Sequence, residues 1–61
     1  MRKITSNDKY IMYGMNIAGI KLDQIVEHVI SNYEIDPNLD REGITKIIDQ
    51  VLDEVHEEYA V

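Results

Sequence analysis

"YGMNIAGIKLDQIVEHVI", residues 13–30, sets a glycine-bearing break, "IAGIK", directly before a strongly helical run. If Gly19 breaks the chain, two helices meet at a corner. If it does not, Ile11, Met15, Ala18, Leu22, Val26, Val29 and Tyr33 form one continuous apolar seam. A long helix followed by another would then make a hairpin that needs a twin to bury its face, as in a dimeric four-helix bundle. We expect the corner, because glycine after a helix is a common stop signal.

On the far side of that corner, Leu22, Ile25, Val26, Val29, Ile30 and Tyr33 recur three and four apart, with Asp23, Gln24, Glu27, His28, Ser31 and Asn32 between them. This period marks an amphipathic helix over about 21–34. "YEIDPNLD" follows as a connection rich in turn formers, with Ile35 and Leu39 expected to fold back as plugs on the core. A second amphipathic run carries Ile44, Ile47, Ile48, Val51, Leu52, Val55 and Tyr59. Asp36 before Pro37 and then Asp40 offer successive helix starts. The pattern favours Asp40 and a helix over about 40–58, fraying at residues 57–61 because its acids oppose the helix dipole. Upstream, Ile11, Met12, Met15 and Ala18 suggest a helix over about 7–18 capped by Ser6 or Asp8, although "KYIMY" alone is also strand-like. The expectation is an all-α domain of three helices.

A chain of 61 residues has room for one domain and buries only about 60% of its unfolded surface. Without cysteine, neither a disulfide nor a thiolate metal site can reinforce it, so self-association as a homodimer or partner binding is expected. No apolar run long enough for a bilayer occurs, and the chain reads as soluble and cytoplasmic. The net charge is -6 and unevenly spread. Arg2, Lys3 and Lys9 face only Asp8 in residues 1–10, whereas seven acids meet Arg41 and Lys46 in residues 40–61. An acidic field repels nucleic-acid duplex and suits a basic protein partner.

The chemistry-bearing residues are sparse. A helix-turn-helix needs a basic second helix to enter the major groove. Here that helix shows Asp23, Gln24, Glu27, His28, Ser31 and Asn32, with no arginine. A DNA-binding regulator using residues 13–32, with Arg2, Lys3, Lys9 and Lys21 at the phosphates, is the alternative. "DPNLDREGITKIID" resembles a calcium loop only in outline. From Asp36, Arg41 stands at the glycine position and Ile47 at the closing acid; from Asn38, Thr45 takes the apolar position. A capped turn is expected. His28 beside Glu27, and His56 three residues after Asp53, flank the apolar stripes and are expected to be solvated, not to ligate metal. Ser6 and Ser31 are the only serines, and no glycine-rich phosphate loop occurs; neither an enzyme nor a cofactor is expected. Tyr10, Tyr13, Tyr33 and Tyr59 are the only aromatics. We expect them to close an aliphatic core with hydroxyls in water, the alternative being an adaptable binding patch with Met12 and Met15.

The run "LDQIVEHVISNYEIDPNLDREGITKIIDQVLDEV" resembles the helical half of PqqD-like peptide-recognition domains. That resemblance implies a leader-peptide binder with a small sheet, for which "MRKIT" and "KYIMY" are the available strands; the closing Gly-Leu pair of the pattern is absent. From the residues themselves the leading expectation is a non-catalytic regulatory, inhibitory or adaptor protein. In it, surplus apolar surface on Ile44, Ile48, Val51 and Val55 docks a groove, while Asp49, Asp53, Glu54, Glu57 and Glu58 steer toward a basic surface.

Overall fold

The computed structural model describes residues 3–60. It contains α1 (Ser6–Ile17), α2 (Leu22–Asn32) and α3 (Arg41–Tyr59), and no strand among the described residues. "KYIMY" is helical, so the sheet implied by the PqqD-like resemblance has no strand there. Met1 and Arg2 of the other candidate strand, "MRKIT", lie outside the described residues, as does Val61 at the expected frayed end. The apolar spacing at residues 11–18 prevails over local strand propensity because Met12 is drawn into the core.

Gly19 breaks the chain. Its φ of +95° lies in the left-handed region that side chains avoid. The Gly19 amide donates to the Asn16 carbonyl at 3.1 Å and the Ile20 amide to the Met15 carbonyl at 3.1 Å. This is the paired bonding of a Schellman motif. Ile20 and Met15, the apolar pair flanking it, both pack against the core. The continuous seam is therefore interrupted, and its two halves close on each other within one chain.

At the other end of α1 the cap is Thr5, not the expected Ser6 or Asp8. Asp8 instead completes a capping box: its Oδ2 accepts from the Thr5 amide at 2.9 Å and the Thr5 hydroxyl at 2.8 Å. Its amide donates back to Thr5 Oγ1 at 3.3 Å. Asp8 is only 4% exposed, and its Oδ1 accepts a buried bond from the Tyr33 hydroxyl at 2.9 Å. One carboxylate thus starts α1 and pins it to the end of α2.

Between α2 and α3 the Asp36–Pro37 signal produces a turn, not a helix start. The Leu39 amide donates to the Asp36 carbonyl at 3.0 Å and the Asn38 amide to Asp36 Oδ1 at 2.9 Å. Helix α3 begins after Asp40, whose Oδ1 accepts from the Gly43 amide at 2.8 Å, the ordinary N-cap interaction. A Cβ on Gly43 would stand 3.2 Å from Leu39 Cδ2, so glycine there lets the connection fold closely over the helix start. Residues 41–49, most of any calcium loop, are helical. Arg41 pairs with Glu27 and donates to the Asp23 carbonyl at 3.2 Å, tying the start of α3 to α2.

The core joins Met12 of α1 with Ile25, Val26 and Val29 of α2, Tyr33, and Ile44, Ile48 and Leu52 of α3. Ile35 packs on it as expected, while Leu39 stays exposed. No helix among the described residues is long and apolar enough to cross a membrane.

Candidate partner-binding surface

The apolar residues expected to dock a partner are largely spent inside. Ile44, Ile48 and Val55 are buried and Val51 is half-buried. This corrects their assignment as surplus surface, because α1, α2 and the 33–39 connection cover the stripe within one chain. The acids expected to steer, Asp49, Asp53, Glu54, Glu57 and Glu58, are all exposed on α3.

Three of the exposed apolar side chains, Tyr10, Ile17 and Tyr59, gather where α1 crosses the end of α3, whereas Leu39 and Ile47 are exposed at a separate dent. Tyr10, Tyr13, Gly14 and Ile17 occupy one side of α1 at helical spacing, and with Tyr59 they line an open trough of about 350 Å³. Ile17 is 69% and Tyr59 66% exposed. The aromatic rings order one another: Tyr13 stacks on Tyr59 with centroids 5.6 Å apart, and Tyr10 meets Tyr59 edge-on at 6.3 Å. Hydrogen bonds complete the cluster. The Tyr10 hydroxyl donates to Glu58 Oε2 at 2.6 Å, and the Tyr13 hydroxyl and His56 Nδ1 pair at 2.8 Å. Helix α3 runs through Tyr59 without a lysine or arginine in its last turn, and these contacts join that turn to α1. Of the hydroxyls expected to face water, that of Tyr33 is instead buried on Asp8, while those of Tyr10 and Tyr13 make their bonds at the exposed surface. The bond to Glu58, reinforced by its charge, raises the Tyr10 pKa above 10.0.

Tyr13 also borders a smaller, more polar recess of about 190 Å³ beside Asn16, Asp49, Asp53 and His56, floored by Leu22 and Leu52. A separate pair of apolar dents flanks the 35–39 connection, sharing Ile35, Leu39 and Ile44. Of the other expected site residues, Met12 is core, not surface, and Met15 is half-buried. His28 is half-buried with its ring against the Tyr33 edge at 6.1 Å, so it is not simply solvated. On α2, Asp23, Gln24, Glu27, Ser31 and Asn32 are exposed, as the helical period requires.

No family model, curated protein or solved structure matches this chain. The surface must therefore be interpreted from its own chemistry. Among the described residues no group of three His, Cys, Asp or Glu side chains could hold a metal ion. Among the described residues the trough gathers three of the four tyrosines, with Glu58 bonded to Tyr10 at its edge. Two features of the fold go beyond the sequence expectations. The box at Thr5 and Asp8 was visible as the Thr-x-x-Asp pattern, whereas the meeting of Tyr10 and Tyr13 with His56 and Tyr59 depends on how α1 crosses α3.

Proposed function

We propose that this chain is a small, acidic, non-catalytic protein-binding module that acts as a regulator, inhibitor or adaptor by engaging a basic surface on another protein. The observation that carries this reading is the exposure of five acids, Asp49, Asp53, Glu54, Glu57 and Glu58, on α3, the helix whose Tyr59 lines one trough with exposed Tyr10 and Ile17. Charge along α3 accelerates encounter with a cationic partner, while aromatic side chains supply contact area at low entropic cost. Where that partner's basic surface ordinarily binds nucleic acid, the module competes with the nucleic acid for it.

The test is affinity capture with the full chain from an extract of its own source cells, beside the variant Asp53→Asn/Glu54→Gln/Glu57→Gln/Glu58→Gln. A stoichiometric basic partner retained at low salt, and lost both at high salt and from the variant, supports the reading. Equal retention by both proteins refutes the steering role of the acids.

A further inference from the structure

We propose that the trough between Tyr10, Tyr13, Ile17 and Tyr59 seats a cationic amphipathic helix of another protein, laid across Gly14. This deepens the basic-partner reading and rests on it, adding the seat and the form of the partner.

Gly14 is the first observation. It stands in the middle of α1, where glycine weakens a helix relative to alanine, yet a Cβ there would meet nothing within 4 Å. The other two glycines have local reasons: the left-handed φ of Gly19 and the contact of Leu39 with Gly43. Gly14 has none among the described residues. What its missing side chain does is leave the trough open between Tyr10, Tyr13 and Ile17, the arrangement that allows a second backbone to approach closely.

The walls are the second. Tyr13 stacked on Tyr59 and Tyr10 bonded to Glu58 are held before any partner arrives, so less freedom is lost on binding. The lining positions 10, 13, 14 and 17 follow one face of α1 for two turns. A helix laid there would present anchors at i, i+3 or i+4 and i+7. Leucine- or methionine-sized anchors would flank the rings, with a small residue above Gly14.

Charge decides the occupant. Glu58 meets the trough through its bond from Tyr10, and Asp49 and Asp53 line the recess that shares Tyr13 with it, against the single cation of α1, Lys9, which is half-buried. A second copy would bring two such acidic borders together, each on a chain of net charge -6. Lysine or arginine along the partner's flank satisfies the border instead.

The experiment titrates the isotope-labelled full chain by NMR with a synthetic amphipathic helix of leucine, alanine and lysine, alanine central on its apolar face. A scrambled peptide of the same composition is the control. Saturable shifts centred on Tyr10, Tyr13, Gly14, Ile17 and Tyr59 are expected, with affinity about tenfold or more weaker for the scrambled peptide and for the Gly14→Leu variant. Because a Cβ at residue 14 points into open space, that variant should keep its helical backbone shifts. Shifts confined to residues 49–58, unchanged by Gly14→Leu and by scrambling, would overturn the seat and leave the basic-partner reading intact. Shifts centred on Leu39 and Ile47 would relocate the seat and overturn it as well. Line broadening at the trough that grows with protein concentration before peptide is added would make a second copy the occupant and refute the proposal. Failure of both peptides to bind at low salt would remove both readings.

Discussion

Replacing Tyr33 with phenylalanine removes one oxygen and should cost this fold a large share of its stability. The ring is 2% exposed, so the phenyl ring of the variant would keep its packing, and the change removes the 2.9 Å bond from the hydroxyl to Asp8. A hydrogen bond to a charged group contributes about 1.5–3 kcal/mol. Asp8 keeps both bonds from Thr5 in the variant, at 2.9 and 2.8 Å, so its carboxylate is not stripped and the lower half of that range applies. A core in a domain this small rarely supplies more than about 3–5 kcal/mol. A loss of about 1.5–2 kcal/mol then lowers Tm by roughly 8–15 °C, at about 4–8 °C per kcal/mol. Scanning calorimetry of the wild type, Tyr33→Phe, Asp8→Asn and the double variant gives the coupling between the two groups, expected to be about 1 kcal/mol or more. A Tm for Tyr33→Phe within about 2 °C of wild type, together with additive single effects, would refute the assignment of this bond as the tie between α1 and α2.

The two glycines of α1 and its corner should respond in opposite directions, as urea denaturation would measure. Gly19→Ala forces a side chain into φ +95° and should destabilise by about 1–2 kcal/mol, while Gly14→Ala fills open space and should stabilise by up to about 1 kcal/mol. Asp40→Ala removes the acceptor of the Gly43 amide and should cost about 1 kcal/mol in the same assay. Ile48→Ala, at 2% exposure, should cost about 2–5 kcal/mol, enough to collapse the amide NMR dispersion of the native state. Tyr10 has its folded pKa raised above 10.0, so its contribution is fully present below the unfolded value and is lost as pH climbs through the folded one. Following the ring carbon of Tyr10 by NMR should show a late titration that Glu58→Gln moves back toward the ordinary value; an unchanged titration would sever the link to Glu58.

The three helices were legible because their apolar period extends over enough residues to outweigh local ambiguity. Expected spans of 7–18, 21–34 and 40–58 compare with Ser6–Ile17, Leu22–Asn32 and Arg41–Tyr59. Gly19 and Asp40 were readable because cap chemistry is local: a left-handed φ and an amide three residues on involve no distant partner. The destination of the α3 stripe was not. Ile44, Ile48 and Val55 look surplus until Met12, Val29 and the chain after Tyr33 are folded over α3, and that is a matter of helix crossing. The role of Asp8 is hidden from sequence for the same reason, since Tyr33, which bonds it, lies 25 positions away. The trough combines both situations. The 10, 13, 14, 17 face of α1 is periodic and visible, but which end of α3 lies against it depends on side chains that meet only in three dimensions.

The aromatic cluster also makes the molecule its own optical probe. With no tryptophan and no phenylalanine, near-ultraviolet signal in this chain comes from four tyrosines. Two of them, Tyr13 and Tyr59, stack with an interplanar angle of 17°, and the rings of Tyr10 and Tyr59 meet at 73°. Fixed, asymmetric ring pairs give circular dichroism in that band, which disappears once tertiary packing is lost even when helices persist. Docking at the crossing of α1 and α3 should change this spectrum and the tyrosine emission without any attached dye, and a variant lacking Tyr33 would separate it from an event near Leu39, where Tyr33 lines the same dent.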